Sequence, residues 1–477
     1  MNRSLKLAMG LLLGSGALAG ADEPRPVPLT RPEMKQLLED MKARKPRIPL
    51  PELTEDEKAT LNGREAGYEA RLRTLYLPPG EGFGFGGNRN AARGTNGAAP
   101  APAAFGRNID SNMSLDYAFK TELFWIVSRT NNCQYCLGHQ ESKLLAAGLT
   151  EDQIAALDGD WSGATPAERA AFAFARKITF EPNALTDSDI DGLRKYYKDL
   201  QILEMILSVA GNNAINRWKE GAGVPQSKDG GNFNRRSAAG AIASPAPAPD
   251  HPQTYLTPTP EKFQASITRV APVLNDPTTG EPTRRTVFRR PPLESRAEVE
   301  KALEGARKRT PRLPLLDEAQ ARAIVSEFYP EGPIPQWVRL VANFPREGLN
   351  RVTSIRAAEE KGELSPLLKA QVSWIIARQD RAWYALGLAK ARLKELGQSD
   401  DQIDQLDGDW SSSSPTERAM FTVACKLAAS PVVLTDDEVD RAVKLAGPRD
   451  VVQLISYTTT RASFDRITEA AGLTLEN

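Results

Sequence analysis

The strongest constraint on this chain is that it repeats itself. Leu157-Asp158-Gly159-Asp160-Trp161-Ser162 recurs as Leu406-Asp407-Gly408-Asp409-Trp410-Ser411, an offset of 249. Under the same offset Pro166, Glu168 and Arg169 fall on Pro415, Glu417 and Arg418, and Leu185-Thr186-Asp187 falls on Leu434-Thr435-Asp436. Arg217 and Gly223 fall on Arg466 and Gly472. No gap is needed over roughly a hundred residues, which is the signature of a duplication. Upstream, Pro46-Arg47-Ile48-Pro49-Leu50 resembles Pro311-Arg312-Leu313-Pro314-Leu315 at an offset of 265. The difference of 16 residues falls in a stretch of the first copy, 80–104, rich in Gly, Asn, Ala and Pro.

The organisation predicted from this is a leader over 1–21, a helical extension with a Gly/Pro-rich loop over 22–111, a first core over 112–225, a Pro/Ala-rich linker over 226–290, a second extension over 291–360 and a second core over 361–477. The leader carries Arg3 and Lys6, a short apolar run and Ala19-Gly20-Ala21, a secretory pattern. Its apolar run is broken by Gly10, Gly14, Ser15 and Gly16 and falls short of the about 20 residues a membrane helix needs. A periplasmic or secreted protein is expected, with no membrane anchor. The chain has 61 Lys plus Arg against 61 Asp plus Glu and no long basic block, which removes the electrostatic footprint of a nucleic-acid binder.

Each core reads as helical. Residues 115–130 form a long apolar-rich stretch, Thr165 is placed to cap a helix beginning at Pro166, Thr186 and Asp187 open another, and 200–219 runs without proline. Strand alternation and hairpin dipeptides are scarce. The predicted fold class is therefore all-α, two tandem helical bundles joined by a Pro-rich linker, packed together as an intramolecular pseudo-dimer.

Chemistry is concentrated. The chain has 3 Cys and 2 His, and Cys133, Cys136 and His139 lie within seven residues. On a helix, Cys133 and Cys136 share a face, as do Cys136 and His139. The three-residue spacing allows a disulfide, and an imidazole beside the pair would lower a thiol pKa, which together are the parts of thiol redox chemistry. Upstream, Glu122 has Ala118, Phe119, Trp125 and Ile126 as helical neighbours. A carboxylate so placed is expected to have a raised pKa suited to passing protons. At the 249 offset the four residues become Gln371, Ala382, Ala385 and Leu388, so the second copy reads as a scaffold.

Zinc would need a fourth ligand, and the remaining soft candidates are Cys425 and His251, far off in sequence; no metal or other cofactor is predicted. Haem attachment would need His directly after the second Cys, where Leu137 stands. A plain structural disulfide is the main competing reading, although a three-residue loop restrains little chain entropy. Gly82, Gly84 and Gly87 have dinucleotide-loop spacing without a strand before them and read as a low-complexity loop. Cys425 is expected in or near a core, and Trp161 and Trp410 as packing anchors for the loop.

Taken together, Glu122, Cys133-Gln134-Tyr135-Cys136, His139, Asp158-Gly159-Asp160-Trp161, Pro166 to Arg169, Leu185-Thr186-Asp187 and Asn213 to Gly223 resemble the alkylhydroperoxidase D-like and carboxymuconolactone decarboxylase superfamily. The resemblance covers about 112–225, with 361–475 as a degenerate copy. It implies an all-α fold that associates into oligomers. In the peroxidase-like branch, it implies Cys133 and Cys136 as a redox pair, with His139 and Glu122 as proton relay. Here His139 stands three residues after Cys136 where the family has four, and Glu122 is one residue closer to the first Cys than usual. The expected activity is a thiol peroxidase acting on a small hydroperoxide with an external thiol or disulfide reductant. The alternatives are a binding or assembly protein with an inert disulfide, and a cofactor-free decarboxylase or isomerase of a small acid. Which cysteine attacks is open: Cys136 is nearer His139, Cys133 nearer the helix N-terminus.

Overall fold

A computed structural model describes residues 46–61, 67–78, 108–131, 133–158, 161–225 and 292–476, with three short strands outside these spans. The leader, the 80–104 loop, His251 and nearly all of the linker lie outside the described residues. The strands Arg25–Pro26 (β1), Arg269–Ala271 (β2) and Val287–Phe288 (β3) pair antiparallel in the order β1-β3-β2. Among the described residues all else that is regular is helical, as the scarcity of strand patterns predicts. Helices α1 (Glu55–Leu61) and α2 (Tyr68–Tyr76) precede a first bundle. That bundle comprises α3 (Tyr117–Asn131), α4 (Gln134–Ala146), α5 (Glu151–Ala156), α6 (Pro166–Phe180), α7 (Asp187–Arg194) and α8 (Asp199–Ala222). Four helices follow, α9 (Arg296–Arg307), α10 (Glu318–Val325), α11 (Gln336–Val341) and α12 (Pro345–Glu360). The second bundle is α13 (Pro366–Asp380), α14 (Trp383–Glu395), α15 (Asp400–Asp404), α16 (Pro415–Ala428), α17 (Asp436–Ala446) and α18 (Pro448–Ala470).

Local chemistry sets the helix starts. Thr165 Oγ1 accepts from Glu168 N at 3.2 Å while Glu168 reaches back to Thr165 N, a capping box with Pro166 in the first turn. Ser414, Pro415 and Glu417 repeat it in α16. Helices α3, α4, α6 and α7 start 249 residues before α13, α14, α16 and α17. The tryptophans that end the two Asp-Gly-Asp-Trp sequences match in detail. Trp161 and Trp410 both have left-handed backbones, φ 58° and 56°. Each indole Nε1 donates to the carbonyl four residues back, Leu157 at 2.8 Å and Leu406 at 2.7 Å. Each ring meets a phenylalanine edge-on, Phe172 at 5.6 Å and Phe421 at 5.7 Å. Such a backbone costs a non-glycine residue energy, and these contacts offset it.

One continuous apolar core runs from Ile48 to Leu475 through both bundles, with α8 packed along α18. Polar contacts cross this seam in matched pairs. Arg217 Nη2 donates to Ala428 O and Arg466 Nη2 to Thr179 O, both at 2.9 Å. Arg47 binds Glu220 O of the first bundle and reaches Leu434 O and Asp436 of the second. Arg312 does the reverse, binding Glu469 O at 2.8 Å and reaching Leu185 O at 3.0 Å and Asp187 at 2.7 Å. Gly223 and Gly472, at φ +61° and +59°, lie under these two arginine stems. Asp110, ahead of the first bundle, caps α12, accepting from the amides of Arg346 and Glu347 at 2.9 Å each.

Candidate functional site

Helices α3 and α4 form an antiparallel hairpin, and the thiols sit at its bend. Cys133 N donates to Ser128 O at 2.9 Å, closing the turn that ends α3. The expectation that both cysteines lie within one helix needs correction. Cys133 is the N-cap of α4, with φ −83° and ψ 95°, and Cys136 is in the first turn. Both are buried free thiols, so the structure describes the dithiol form of the pair. Around them lies a small apolar cluster of Phe124, Tyr135 and Ile215. Burial pushes the Cys133 thiol up, with the Cys136 thiol and then Glu220 adding to it. This differs from a thiol lowered by an imidazole, because the low dielectric of a fully enclosed site disfavours the thiolate more than a helix N-terminus favours it.

The groups facing Cys136 are largely ones the sequence reading missed. Lys143, two helical turns further along α4, places Nζ 5.8 Å from the Phe124 ring centre and interacts with the charge of Cys136. Burial brings Lys143 down to about 8, with Lys219 acting in the same direction and Cys136 against it. Lys219, on α8, stands 4.4 Å over the Tyr135 ring and forms an ion pair with Glu69 of α2. Burial alone would lower Lys219, but Glu69, then Tyr135 and Cys136, raise it. Glu69 is held down to about 2 by Lys219 and Arg73 against its own burial. Trp218 Nε1 also donates to Glu69, at 2.8 Å. The half-buried His139 packs its ring against Tyr135, centroids 4.5 Å apart and tilted 39°. A row of Glu69, Lys219, Tyr135 and His139 thus flanks the thiols.

Glu122 belongs to a different neighbourhood. It lies eleven residues before Cys133, about 16 Å of helix rise, near the start of α3. Its pKa is raised to about 7, by burial first and then by Glu168 and Asp116. The direction agrees with the sequence expectation, but Glu168, the capping carboxylate of α6, was not foreseen as a neighbour. Beside it Phe119 stacks on Phe172 at 6.3 Å and on Tyr197 at 6.1 Å, and Tyr197 is raised to about 12 by burial, Glu168 and Glu122. The structure therefore places Cys133, Cys136 and His139 around Tyr135, and Glu122 in an aromatic, carboxylate-rich pocket of its own.

The repeated loop braces the hairpin. Arg129, one turn before Cys133, binds Asp158 with both Nε and Nη2, at 2.7 and 3.0 Å, and Asp158 is fully buried. Residues 114–177 match the carboxymuconolactone decarboxylase family. That span holds α3 to α5 and most of α6, including Glu122, both cysteines, His139 and the loop. No curated protein matched the chain. In the second bundle Ala382 takes the N-cap place of Cys133, with φ −85° and ψ 86°, and Ala382 and Ala385 are fully buried. The second bundle thus has a hairpin of the same form with methyl groups at the positions of the two thiols.

Among the described residues no group of three or more His, Cys, Asp and Glu could hold a metal ion, and no helix is long and apolar enough to cross a membrane. Cys425 packs against the core, its Sγ 3.9 Å from Gln379 Oε1.

Proposed function

We propose that the first bundle is a thiol-dependent hydroperoxide reductase in which Cys136 attacks and Cys133 resolves. The observation that carries this reading is a pair of buried free thiols at a helix N-cap and first turn, with Lys143 and Lys219 each raised by their interaction with Cys136 while burial pushes the Cys133 thiol up. The Cys136 thiolate attacks one peroxide oxygen; the S–O bond forms, the O–O bond breaks, and the departing alkoxide takes up a proton to become an alcohol. The Cys133 thiol then condenses with the resulting sulfenic acid, forming the disulfide and releasing water. Two electrons and two protons from an external thiol reductant restore the pair. The His139 and Tyr135 rings border the path by which protons reach the leaving oxygens.

The same reading takes 1–21 as an export signal and the chain as a duplicated pair of family domains forming an internal pseudo-dimer. Support comes from the 249-residue offset of the helix starts and the matched arginine contacts across the seam. To test the activity, the reduced full chain is treated with cumene hydroperoxide and free thiols are followed. Two thiols should be lost per hydroperoxide consumed. Cys133→Ser should stop at a sulfenic acid trapped by a dimedone-type reagent, and Cys136→Ser should not react. Thiols that survive at the rate of free cysteine would refute the proposal.

A second reading rests on Glu122, whose pKa near neutrality suits general acid or base work on a small acid without thiol turnover. It is favoured if such an activity persists in the double Cys133→Ser, Cys136→Ser variant and is lost in Glu122→Gln.

A further inference from the structure

The second bundle encloses a carboxyl group that no donor satisfies. Asp465, on α18, is 1 % exposed, and neither of its oxygens accepts a hydrogen bond among the described residues. The charged side chains around it are engaged elsewhere. Arg466 holds Asp380, the last residue of α13, through bonds of 2.7 and 3.1 Å, and its Nη2 also donates to Thr179 O of the first bundle at 2.9 Å. Arg461, one turn before Asp465, gives Nη1 to Glu359 of α12 at 3.1 Å. Glu469, one turn after it, is held by Arg309 at 3.0 Å. On α8, which packs along α18, Arg217 is turned to Asn213, Ala428 O and Ser430 Oγ. The row Glu359, Arg461, Asp465, Asp380 and Arg466 therefore sets three acids against two bases, each base already bonded to another acid. An ionised carboxylate taken out of water without a partner is so unfavourable that the group neutralises instead. A proton on Asp465 balances the row.

The corresponding positions of the first bundle are uncharged. At the 249 offset Asp465, Asp380 and Ala377 stand for Asn216, Asn131 and Ser128. Asn216 Oδ1 accepts from Asn131 Nδ2 at 3.0 Å, and Asn216 Nδ2 donates to Ser128 Oγ at 3.1 Å. Neither contact survives in the second bundle, because an aspartate side chain has no N–H to offer and Ala377 has no hydroxyl. An acid thus occupies the place of an amide and has lost both partners. Burial pushes its pKa well above the ordinary carboxylate range, with Asp380 adding to this, Arg461 and Arg466 opposing it, and Glu469 adding again.

We infer that Asp465 is a neutral carboxylic acid at neutral pH and that its ionisation is a built-in event that destabilises the joined bundles in alkaline solution. An ionised Asp465 competes for Arg461 with Glu359 and for Arg466 with Asp380, and Arg466 is the side chain that reaches across to Thr179 O. The folded chain holds this proton more tightly than the unfolded one. The stability it contributes is complete below the unfolded value near about pH 4 and is lost as pH rises towards the folded value. Urea unfolding of the full chain and of Asp465→Asn, in steps from about pH 4 to about pH 9, reads this directly. The unfolding equilibrium constant of the native chain relative to the variant should grow by roughly tenfold per pH unit and still be growing past about pH 7. Asp465→Ala, with neither charge nor amide, should follow the same pH course. An infrared difference spectrum at neutral pH, native chain minus Asp465→Asn, should show the carbonyl stretch of a protonated carboxyl group. Parallel pH courses for native chain and variants, a rise that levels off below about pH 7, or absence of that band would each overturn the inference. Failure of both variants to fold would overturn it as well, since a group that is neutral in the folded chain should tolerate neutral replacements.

Discussion

Replacing Arg129 by Met tests whether the Asp-Gly-Asp-Trp loop is what braces the thiol hairpin. Asp158 has no solvent exposure and takes two hydrogen bonds from Arg129, at 2.7 and 3.0 Å. Removing one partner of a buried ion pair costs about 3–5 kcal/mol, because the other charge is left enclosed. Arg176 also acts on Asp158 and would offset part of that, which places Arg129→Met near about 3 kcal/mol. At roughly 2 °C per kcal/mol for a large domain, the melting temperature should fall by about 6 °C. Since Arg129 is the residue after Ser128, whose carbonyl receives Cys133 N, hydroperoxide consumption should fall as well. The assay is thermal denaturation of native chain, Arg129→Met, Asp158→Asn and the double variant. The double should lose about 2 kcal/mol less than the sum of the singles, since removing both partners leaves no stranded charge. A shift below about 2 °C for Arg129→Met, or strict additivity, would refute the bracing argument.

Other outcomes follow from the same physics. Arg378→Met in the second bundle should destabilise more than Arg129→Met, because Arg378 holds both Asp407 at 2.7 Å and Glu294 at 2.9 Å; paired melting curves check this. Lys143→Met and Lys219→Met should each slow loss of the first thiol to hydroperoxide by roughly tenfold, equivalent to about 1.4 kcal/mol, whereas Lys143→Arg should restore most of the rate in the same stopped-flow assay. Glu122 ionises more easily unfolded than folded, so its protonated form stabilises the fold below about pH 4.5 and that contribution is lost as pH rises to about 7. Glu122→Gln should therefore match the native unfolding free energy in urea near pH 4 and exceed it increasingly up to pH 7, by at most about 3 kcal/mol given its partial exposure. Gly223→Ala should destabilise more than Gly472→Ala in urea unfolding. Both need a left-handed backbone, but the new Cβ would lie 2.4 Å from Arg47 Cγ in one and 3.0 Å from Arg312 Cγ in the other.

The sequence was most informative where the physics is local. The Thr165-Pro166-x-Glu168 box announces α6 because cap, first-turn proline and reaching carboxylate are all within four residues. The apolar neighbours of Glu122 announced its raised pKa for the same reason. Cys133 was misplaced by one position because N-cap geometry depends on where α3 stops, which Ser128 and the bend decide. Lys143 was readable, two turns from Cys136 on one face. Lys219 and Glu69 were not: they reach the thiols only after α8 and α2 pack, and their own neighbours carry no thiol signal. Residue types alone could not show that Leu388 and Ala389 border a chamber, since that depends on how α12 lies over α18.

The crossed arginines have a consequence for how such a chain can change over time. Arg47 and Arg312 each tie down the end of one long helix while gripping a loop of the opposite bundle. Neither half is then a spare part. Deleting the thiol-free half would leave the buried Arg217 side chain without Ala428 O and Ser430 Oγ, and would strip one wall from α8, the helix that carries Lys219. A change in either half is therefore felt by the other, and the half without the paired thiols is constrained in its shape by the half that carries them.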